Sequence, residues 1–496
     1  MSDWSNGYVT NIAYTNEYFR NLSPHLIAFA AREAGLRTPP TDAFRYCELG
    51  MGRGKSLLFN AAANPDAAFW GVDFMPEHVA EAQAIADAAG LTNLTLSDDD
   101  FETLLTRDLP SFHYVALHGV WSWVDDRNRA ILLAFLKRQV APGGLVSISY
   151  NAMPGWASLG PLKELIAAHV GDERIDPACI PDAVKFAVEF LRRDMPGAPL
   201  TRLAAETARK IEERNANYIA HEYLNVGGKA FYFHEVAAAL EEAKLTFAGP
   251  TTAADYMTRL SLPEDVKTSL DIETSPARRI GLMDFATGAT FRHDVFARGI
   301  VPAEDAGAAR RASGIALTRP AGRAQKDYAA HRLADRMPLD AVSAMLRKAA
   351  GRDATVGDLL DAATSDGASD ERADEALALL INDGVLEPSP GKAKGNRASS
   401  LNSILSSMAL KAGEDQHLLS PATRAGQPVN IVELLFLEAA QRKADSAKHA
   451  LKRLEALGAA HRLPTGAPPL ETLQAISQGF QAHYAPILRG LGVANK

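Results

Sequence analysis

The sequence predicts an α/β fold built on a doubly wound, mostly parallel sheet, with a helical middle region and mostly helical modules behind it. Three observations carry this. Strand-like and helix-like runs alternate from residue 23 to 151, the pattern of successive strand–helix–strand units. The first strand-like run ends in Glu48-Leu49-Gly50-Met51-Gly52-Arg53-Gly54, where glycines at alternate positions let backbone approach a small ligand closely. The second ends in Gly71-Val72-Asp73, a carboxylate able to accept both hydroxyls of a ribose.

The elements follow in order. Ser23-Pro24 opens a helix, with Ser as N-cap and Pro at the first helical position, and Gly35 closes it. Strands are expected at 44–49, 68–73, 94–97, 112–118 and 144–150, with helices near 55–63, 76–89 and 127–140. Such sheets bind ligands outside the carboxyl ends of their strands. Gly50, Asp73, Asp100 and His118 all fall there. Downstream, an amphipathic helix at 235–243 precedes a strand at 245–249, and Thr290–Ala297 alternates as a strand does. These two strands are expected to complete the sheet as an antiparallel pair, with 156–230 inserted as helices after the fifth strand.

The expected divisions are an N-terminal lid segment (1–22), a ligand-binding core (23–155), a helical middle insertion (156–230) and the end of the core or a regulatory domain (231–302). A connecting segment (303–335), a winged-helix-like module (336–400) and a C-terminal helical domain (401–496) follow. Residues 356–387 hold nine acids and one base, Arg372, a surface that repels phosphate, so the module reads as protein-contacting or structural.

The net charge of −8 over 496 residues gives no basic footprint, so no nucleic-acid partner is expected. Cys47 and Cys179 give neither a disulfide framework nor a metal cluster, and no metal is expected. The polar start has no apolar h-region, and no apolar run reaches membrane-spanning length. These features predict a soluble, cytoplasmic protein without stable membrane insertion.

The glycine spacing narrows the ligand. A dinucleotide fingerprint needs glycines at first, third and sixth positions. The sixth position is Lys55 counting from Gly50 and Leu57 counting from Gly52, so that pattern fails; no P-loop ending is present either. An E-x-G-x-G-x-G loop with a distal Asp resembles the class I S-adenosylmethionine (SAM) methyltransferases. The cofactor set is then Glu48, Gly50, Met51, Gly52, Asp73, Phe74, Asp100, Phe101 and His118, with Asp98 and Asp99 competing with Asp100 for the adenine amino group. Lys55 is expected to point away along its helix or to pair with an acid.

Two aromatic segments follow the fourth and fifth strands: His118-Gly119-Val120-Trp121-Ser122-Trp123 and Ser149-Tyr150-Asn151-Ala152-Met153-Pro154-Gly155-Trp156. For a lysine acceptor, Tyr14, Trp121, Tyr150 and Trp156 would desolvate the amine, and His118 or Tyr150 would accept its proton. The catalytic set is Tyr14, His118, Trp121, Tyr150 and Asn151. In Tyr218–Tyr223, His221 and Glu222 are adjacent and cannot share a helix face, and Asn225 excludes a zinc motif; helix packing is the expected role.

Asn11-Ile12-Ala13-Tyr14, the glycine loop, H-G-V-W-S-W-V, S-Y-N-A-M-P-G-W, A-H-E-Y-L-N and F-R-H-D-V-F-A-R-G occur in this order. With them the chain resembles, over residues 8–300, the bacterial methyltransferases that carry a methyltransferase regulatory domain. The best understood of these are protein lysine methyltransferases acting on outer-membrane proteins. The resemblance implies a Rossmann-like class I methyltransferase sheet, SAM as cofactor and S-adenosylhomocysteine (SAH) as product. It implies methyl transfer to lysine side chains of a protein, an outer-membrane protein before export being one candidate. A small-molecule N- or O-methyltransferase and a non-catalytic SAM-binding protein are the alternatives, and a homodimer is compatible with either. Met51 stands where the family commonly has Cys, and Tyr14 lacks the flanking proline common there.

Overall fold

The computed structural model describes residues 16–171, 177–193, 211, 216–224, 228–251, 262–350, 354–463 and 468–494. Seven strands form one sheet in the order β3-β2-β1-β4-β5-β7-β6. They are β1 (Arg45–Leu49), β2 (Ala68–Val72), β3 (Leu94–Ser97), β4 (Phe112–Leu117), β5 (Val140–Asn151), β6 (Leu245–Pro250) and β7 (Phe291–Arg298). The first five run parallel, and β7 lies antiparallel between β5 and β6. The two downstream strands therefore complete the sheet. Their register sets His293 opposite Ser149 and Phe291 opposite Asn151.

Helices α1 (Pro24–Glu33), α2 (Lys55–Ala63), α3 (Pro76–Ala89), α4 (Phe101–Thr106), α5 (Val120–Trp123) and α6 (Asp126–Gln139) flank it. Alternation along the strands sends side chains into two cores, as a sheet covered on both faces requires. Tyr46, Phe69, Tyr114 and Leu145 pack towards α1, α2 and α3. Cys47, Leu49, Val115, Leu117, Val146 and Ile148 pack towards α6 and the helix Phe233–Glu242. The middle region adds α7 (Gly160–Val170), α8 (Ile180–Leu191) and α9 (Ala216–Tyr223), joined through Leu162, Ile166, Val184, Val188 and Ile219.

Two expectations are corrected downstream. Residues 303–335 are more than a connector: β8 (Gly314–Leu317) pairs antiparallel with both β9 (Ala354–Thr355) and β10 (Leu386–Pro388). Gly314-Ile315-Ala316-Leu317 shows no apolar–polar alternation, so periodicity does not reveal this strand. The helices Leu339–Ala349, Val356–Ser365 and Asp370–Asn382 build a core around Met345, Leu359 and Leu380, which Leu26 and Phe29 of α1 also enter. The C-terminal region, expected to be helical throughout, contains a hairpin of β11 (Gln416–Ser420) and β12 (Ala425–Val429). Its turn lacks an Asn-Gly or Asp-Gly signal, and Arg424 itself takes a left-handed φ of 54°. Leu401, Leu405, Leu418 and Phe436 share one core with Phe59 of α2 and Ile85 of α3, so this region is fused to the sheet.

Among the described residues, no helix is long and apolar enough to cross a membrane, and no cluster of His, Cys, Asp and Glu could hold a metal.

Candidate active site

The glycine loop turns sharply after β1 because its glycines accept what other residues resist. Gly50, Gly52 and Gly54 have φ of 70°, 55° and 71°, the left-handed region. A Cβ on Gly50 would also lie 2.4 Å from Val120 Cγ2, so the ends of β1 and β4 approach through this glycine. The amides of Gly50 and Met51 bond the Val72 carbonyl at 2.8 and 3.0 Å, fixing the loop to the end of β2. Met51 faces away from the loop's open side. Its side chain packs in the core, where a Cβ on Gly71 would sit 2.6 Å from its Sδ.

Asp73 braces this loop. Its Oδ2 accepts the Gly52 amide at 2.8 Å; its Oδ1 accepts the Met75 amide at 3.1 Å and meets His78 Nδ1 at 3.1 Å. Phe74 follows it, half-buried. Beyond β3, Asp100 is the N-cap of α4 and accepts the Thr103 amide at 2.7 Å, while Phe101 packs on the core. Asp99 is paired with Arg107 at 2.7 Å, and Asp98 is exposed. Lys55 neither points away nor forms a tight ion pair: its Nζ donates to the Asn16 carbonyl at 3.3 Å, and burial lowers its pKa to about 8.

Glu48 lies in β1 one step before the loop, buried, accepting the Tyr46 hydroxyl at 3.2 Å. Burial first, then the charge of Asp73, push its carboxyl up to about 8. With its folded value above its ordinary 4.5, Glu48 favours the fold at low pH; that contribution fades as pH rises from about 4.5 and is lost through about 8.

His118 ends β4. Its Nδ1 meets Ser149 Oγ at 3.0 Å, and Ser149 also accepts the Gly119 amide at 2.8 Å. Phe19 lies over the imidazole at 3.9 Å between ring centroids, His293 stacks at 5.3 Å, and Phe291 meets it edge-on at 5.9 Å. Burial lowers the pKa of His118 to about 4, so the ring is neutral at neutral pH. It adds no positive charge to the site and is a poor proton acceptor there.

The tryptophan pair divides. Residues two apart on a helix point about 200° apart. Trp121 is therefore buried in the core against Phe231, whereas Trp123 lies over Gly119, where a Cβ would sit 3.1 Å from its indole. Trp121, expected on the acceptor side, packs in the core, and Trp123 is the indole beside the end of β4. Tyr150 departs similarly. It projects from the opposite face of β5 to Ser149, is fully buried, and donates to Asp294 Oδ2 at 2.7 Å. Arg292 completes that cluster, at 2.7 Å from Asp294 and 2.6 Å from Asp284. Tyr150 thus belongs to a buried ion network. Tyr150→Phe leaves Asp294 bonded by Arg292, so it is expected to cost about 1 kcal/mol of stability and to leave methyl transfer intact. Turnover lost at unchanged melting temperature would return Tyr150 to the site. Arg292→Ala, stranding two buried carboxylates, is expected to cost about 3–5 kcal/mol in denaturant unfolding.

Asn151 ends β5 and has a partner that the sequence did not suggest. Its Nδ2 donates to Glu222 Oε1 at 2.6 Å, and its amide bonds Ser122 Oγ at 2.8 Å. Glu222 also accepts from the Trp123 indole, and burial raises its carboxyl above the ordinary carboxylate range. Packing was the expected role of α9. Ile219 and Tyr223 do pack, and Trp156 lies 5.8 Å from Tyr223, but the adjacent Glu222 turns to the ends of β4 and β5. Tyr14 lies outside the described residues.

The residues present fit SAM. The left-handed glycines keep the loop's backbone bare and tightly turned between the ends of β1 and β4, Asp73 stands at the end of β2 and holds that loop, and oxygen acceptors and aromatic faces surround a neutral His118, which suits a cationic ligand. The sheet order, the loop after β1 and the acid after β2 together define a class I SAM-dependent methyltransferase.

Comparison with known proteins agrees. A methyltransferase domain model matches residues 47–144, and a predicted methyltransferase regulatory domain model matches residues 215–298. An uncharacterised protein of Synechocystis is 31% identical over 513 residues, 99% of this chain and 100% of that one. A tRNA (guanine-N(7)-)-methyltransferase of Chromohalobacter salexigens is 41% identical over 110 residues, 21% of this chain and 45% of that one. PKMT2 from Rickettsia typhi shares the fold with a TM-score of 0.69 at 17% identity, covering 97% of this chain and 99% of that one. Its complex with AdoHcy gives 0.67 at 18% identity, covering 94% and 97%. The chain belongs to the SAM-dependent methyltransferases that carry a methyltransferase regulatory domain. The regulatory segment is woven into the methyltransferase sheet, since residues 215–298 contribute β6 and β7.

SAM binding beside Glu48 is expected to lower its pKa and so release protons near pH 7. Calorimetry in two buffers of different ionisation enthalpy measures the release; it should shrink in Glu48→Gln. Equal release from both proteins would remove Glu48 from the cofactor set.

Proposed function

We propose that this methyltransferase modifies lysine side chains of a protein substrate, and that Glu222 takes the proton the lysine must lose before attack. The observation that carries the reading is the buried carboxyl of Glu222, with its raised pKa, bonded to Asn151 and Trp123 at the ends of β5 and β4. A general base works best when its pKa lies near the working pH. Glu222 moves towards that range, while His118 at about 4 moves away from it and the Tyr150 hydroxyl is engaged by Asp294.

The roles then divide by element. SAM supplies the methyl group and a sulfonium that leaves as a neutral thioether. Gly50 and Gly52 would give it close backbone contact, Asp73 would accept from its ribose, and Asp98 or Asp100 would meet the adenine. Trp123 would present an aromatic face to the substrate ammonium, which binds such faces favourably. Asn151 holds the Glu222 carboxyl in place by its amide. With the proton on Glu222, the lysine nitrogen would be the free-base nucleophile that a bound methyl donor requires.

The family resemblance favours an outer-membrane protein, met in the cytoplasm before export, as substrate. Incubating the enzyme with methyl-labelled SAM and host-cell lysate tests the acceptor class. Label recovered as methyl-lysine after acid hydrolysis of protein supports the proposal. Label confined to small molecules would replace it with the metabolite reading.

A further inference from the structure

Among the described residues, none beyond 303 is part of the site described above, yet three consecutive side chains tie those regions to it. Residues 16–22 run as a strap across the carboxyl edge of the sheet. The Phe19 amide bonds Ser56 Oγ at 2.8 Å, one residue into α2, while its ring lies on His118 beyond β4. Phe19 therefore bridges the strand ends between which the glycine loop opens. Tyr18 points the other way, with its ring 5.0 Å from Phe59 and 5.2 Å from His417 of the C-terminal hairpin. A Cβ on Gly426 would stand 2.9 Å from that ring, so the hairpin is fitted against it.

Arg20 reaches the third body. Its Nε donates to Glu387 Oε1 of β10 at 2.7 Å, and its two terminal nitrogens donate to the Asn382 and Ile381 carbonyls at 3.2 and 3.0 Å. Those carbonyls end the helix Asp370–Asn382, which has no basic residue of its own in its last turn. The Ile381 carbonyl also accepts the Gly384 amide at 3.0 Å, so the guanidinium adds a second donor there, supplies one to Asn382, and meets the negative end of the helix dipole. The Glu387 side chain is only 9% exposed and has this arginine as its cation.

We infer that Arg20 is a positioning residue: anchored by Glu387 and by the end of the helix Asp370–Asn382, it holds Phe19 over His118 and so makes the C-terminal modules part of the active-site wall. The inference rests on the reading of the glycine loop and His118 as the SAM site. It assigns residues 303–496 a role in the cofactor complex, beyond any part in gripping a substrate.

The test uses the full chain, SAH as probe and calorimetry as readout, with melting temperature recorded alongside. Arg20→Ala and Glu387→Ala are each expected to weaken SAH binding about tenfold, and the double variant to be little worse than either alone. Phe19→Ala should weaken binding at least as much, and adding Arg20→Ala to it should change little more. Arg310→Ala is the control. Arg310 ties the same module to α1 through Glu33 at 3.0 Å and to Asp374 at 2.8 Å but does not touch the strap. It should lower the melting temperature and leave SAH affinity unchanged. Equal weakening by Arg310→Ala would mean that module docking in general matters, and would overturn the role of Arg20. Unchanged SAH affinity in Arg20→Ala while Phe19→Ala binds weakly would overturn it as well. Loss of SAH binding by the unaltered protein would instead overturn the SAM site itself.

Discussion

Asp73→Ala is expected to weaken SAM binding by about 3 kcal/mol, roughly a hundredfold in Kd. The size follows from two roles in one carboxylate. It would accept from the ribose, each such charged hydrogen bond being worth about 1.5–3 kcal/mol. It also holds the loop that forms the other side of the cradle, through Gly52, and the start of α3, through Met75 and His78. Removing it leaves the buried Gly52 amide without its acceptor. The melting temperature should therefore fall too, even without ligand. Asp73→Asn keeps one acceptor oxygen and should lie between the two proteins in both measurements. Calorimetric titration with SAM and SAH, with thermal unfolding beside it, reads both roles. A variant that unfolds earlier yet binds SAM normally would make Asp73 a loop brace only.

Glu222→Gln is expected to cut the turnover number about 10²–10⁴-fold, the range a positioned base supplies, with SAM affinity unchanged. Glutamine keeps an oxygen for the Asn151 and Trp123 donors, so the site should stay assembled while its proton acceptor is gone. The pH profile separates this from a packing effect. In the unaltered enzyme, activity should rise as Glu222 loses its proton, above the ordinary carboxylate range because burial raises the group. Glu222→Gln should lack that limb. Substrate that already carries a neutral amine, supplied by raising the pH, should recover part of the lost rate. A variant with the original acidic limb and a normal turnover number would remove Glu222 from the mechanism.

These two residues also mark how far the sequence reaches. Asp73 was legible because everything that defines it is local: a strand, its end, and the glycine loop on the neighbouring strand. The turn at Gly50 and Gly52 is local in the same way. Glu222 was not legible, because its partner Asn151 is 71 residues away and a helix can turn an acid towards solvent, a packing partner or a site with the same sequence pattern. Trp121 and Trp123 failed for a different reason. Either could face the site, and the orientation of one short helix decides which.

The sequence by itself determined the sheet, the loop, the cofactor class and the strand ends where ligands gather. Each depends on backbone preferences and alternation over a few residues, which chain chemistry imposes directly. Tertiary structure alone decided what meets those strand ends. It sent Tyr150 into the Arg292 network, brought Glu222 to Asn151, and joined Arg20 to Glu387 across 367 residues. Periodicity tells a side chain which layer to face; only the packing of whole elements against one another decides which residue waits there.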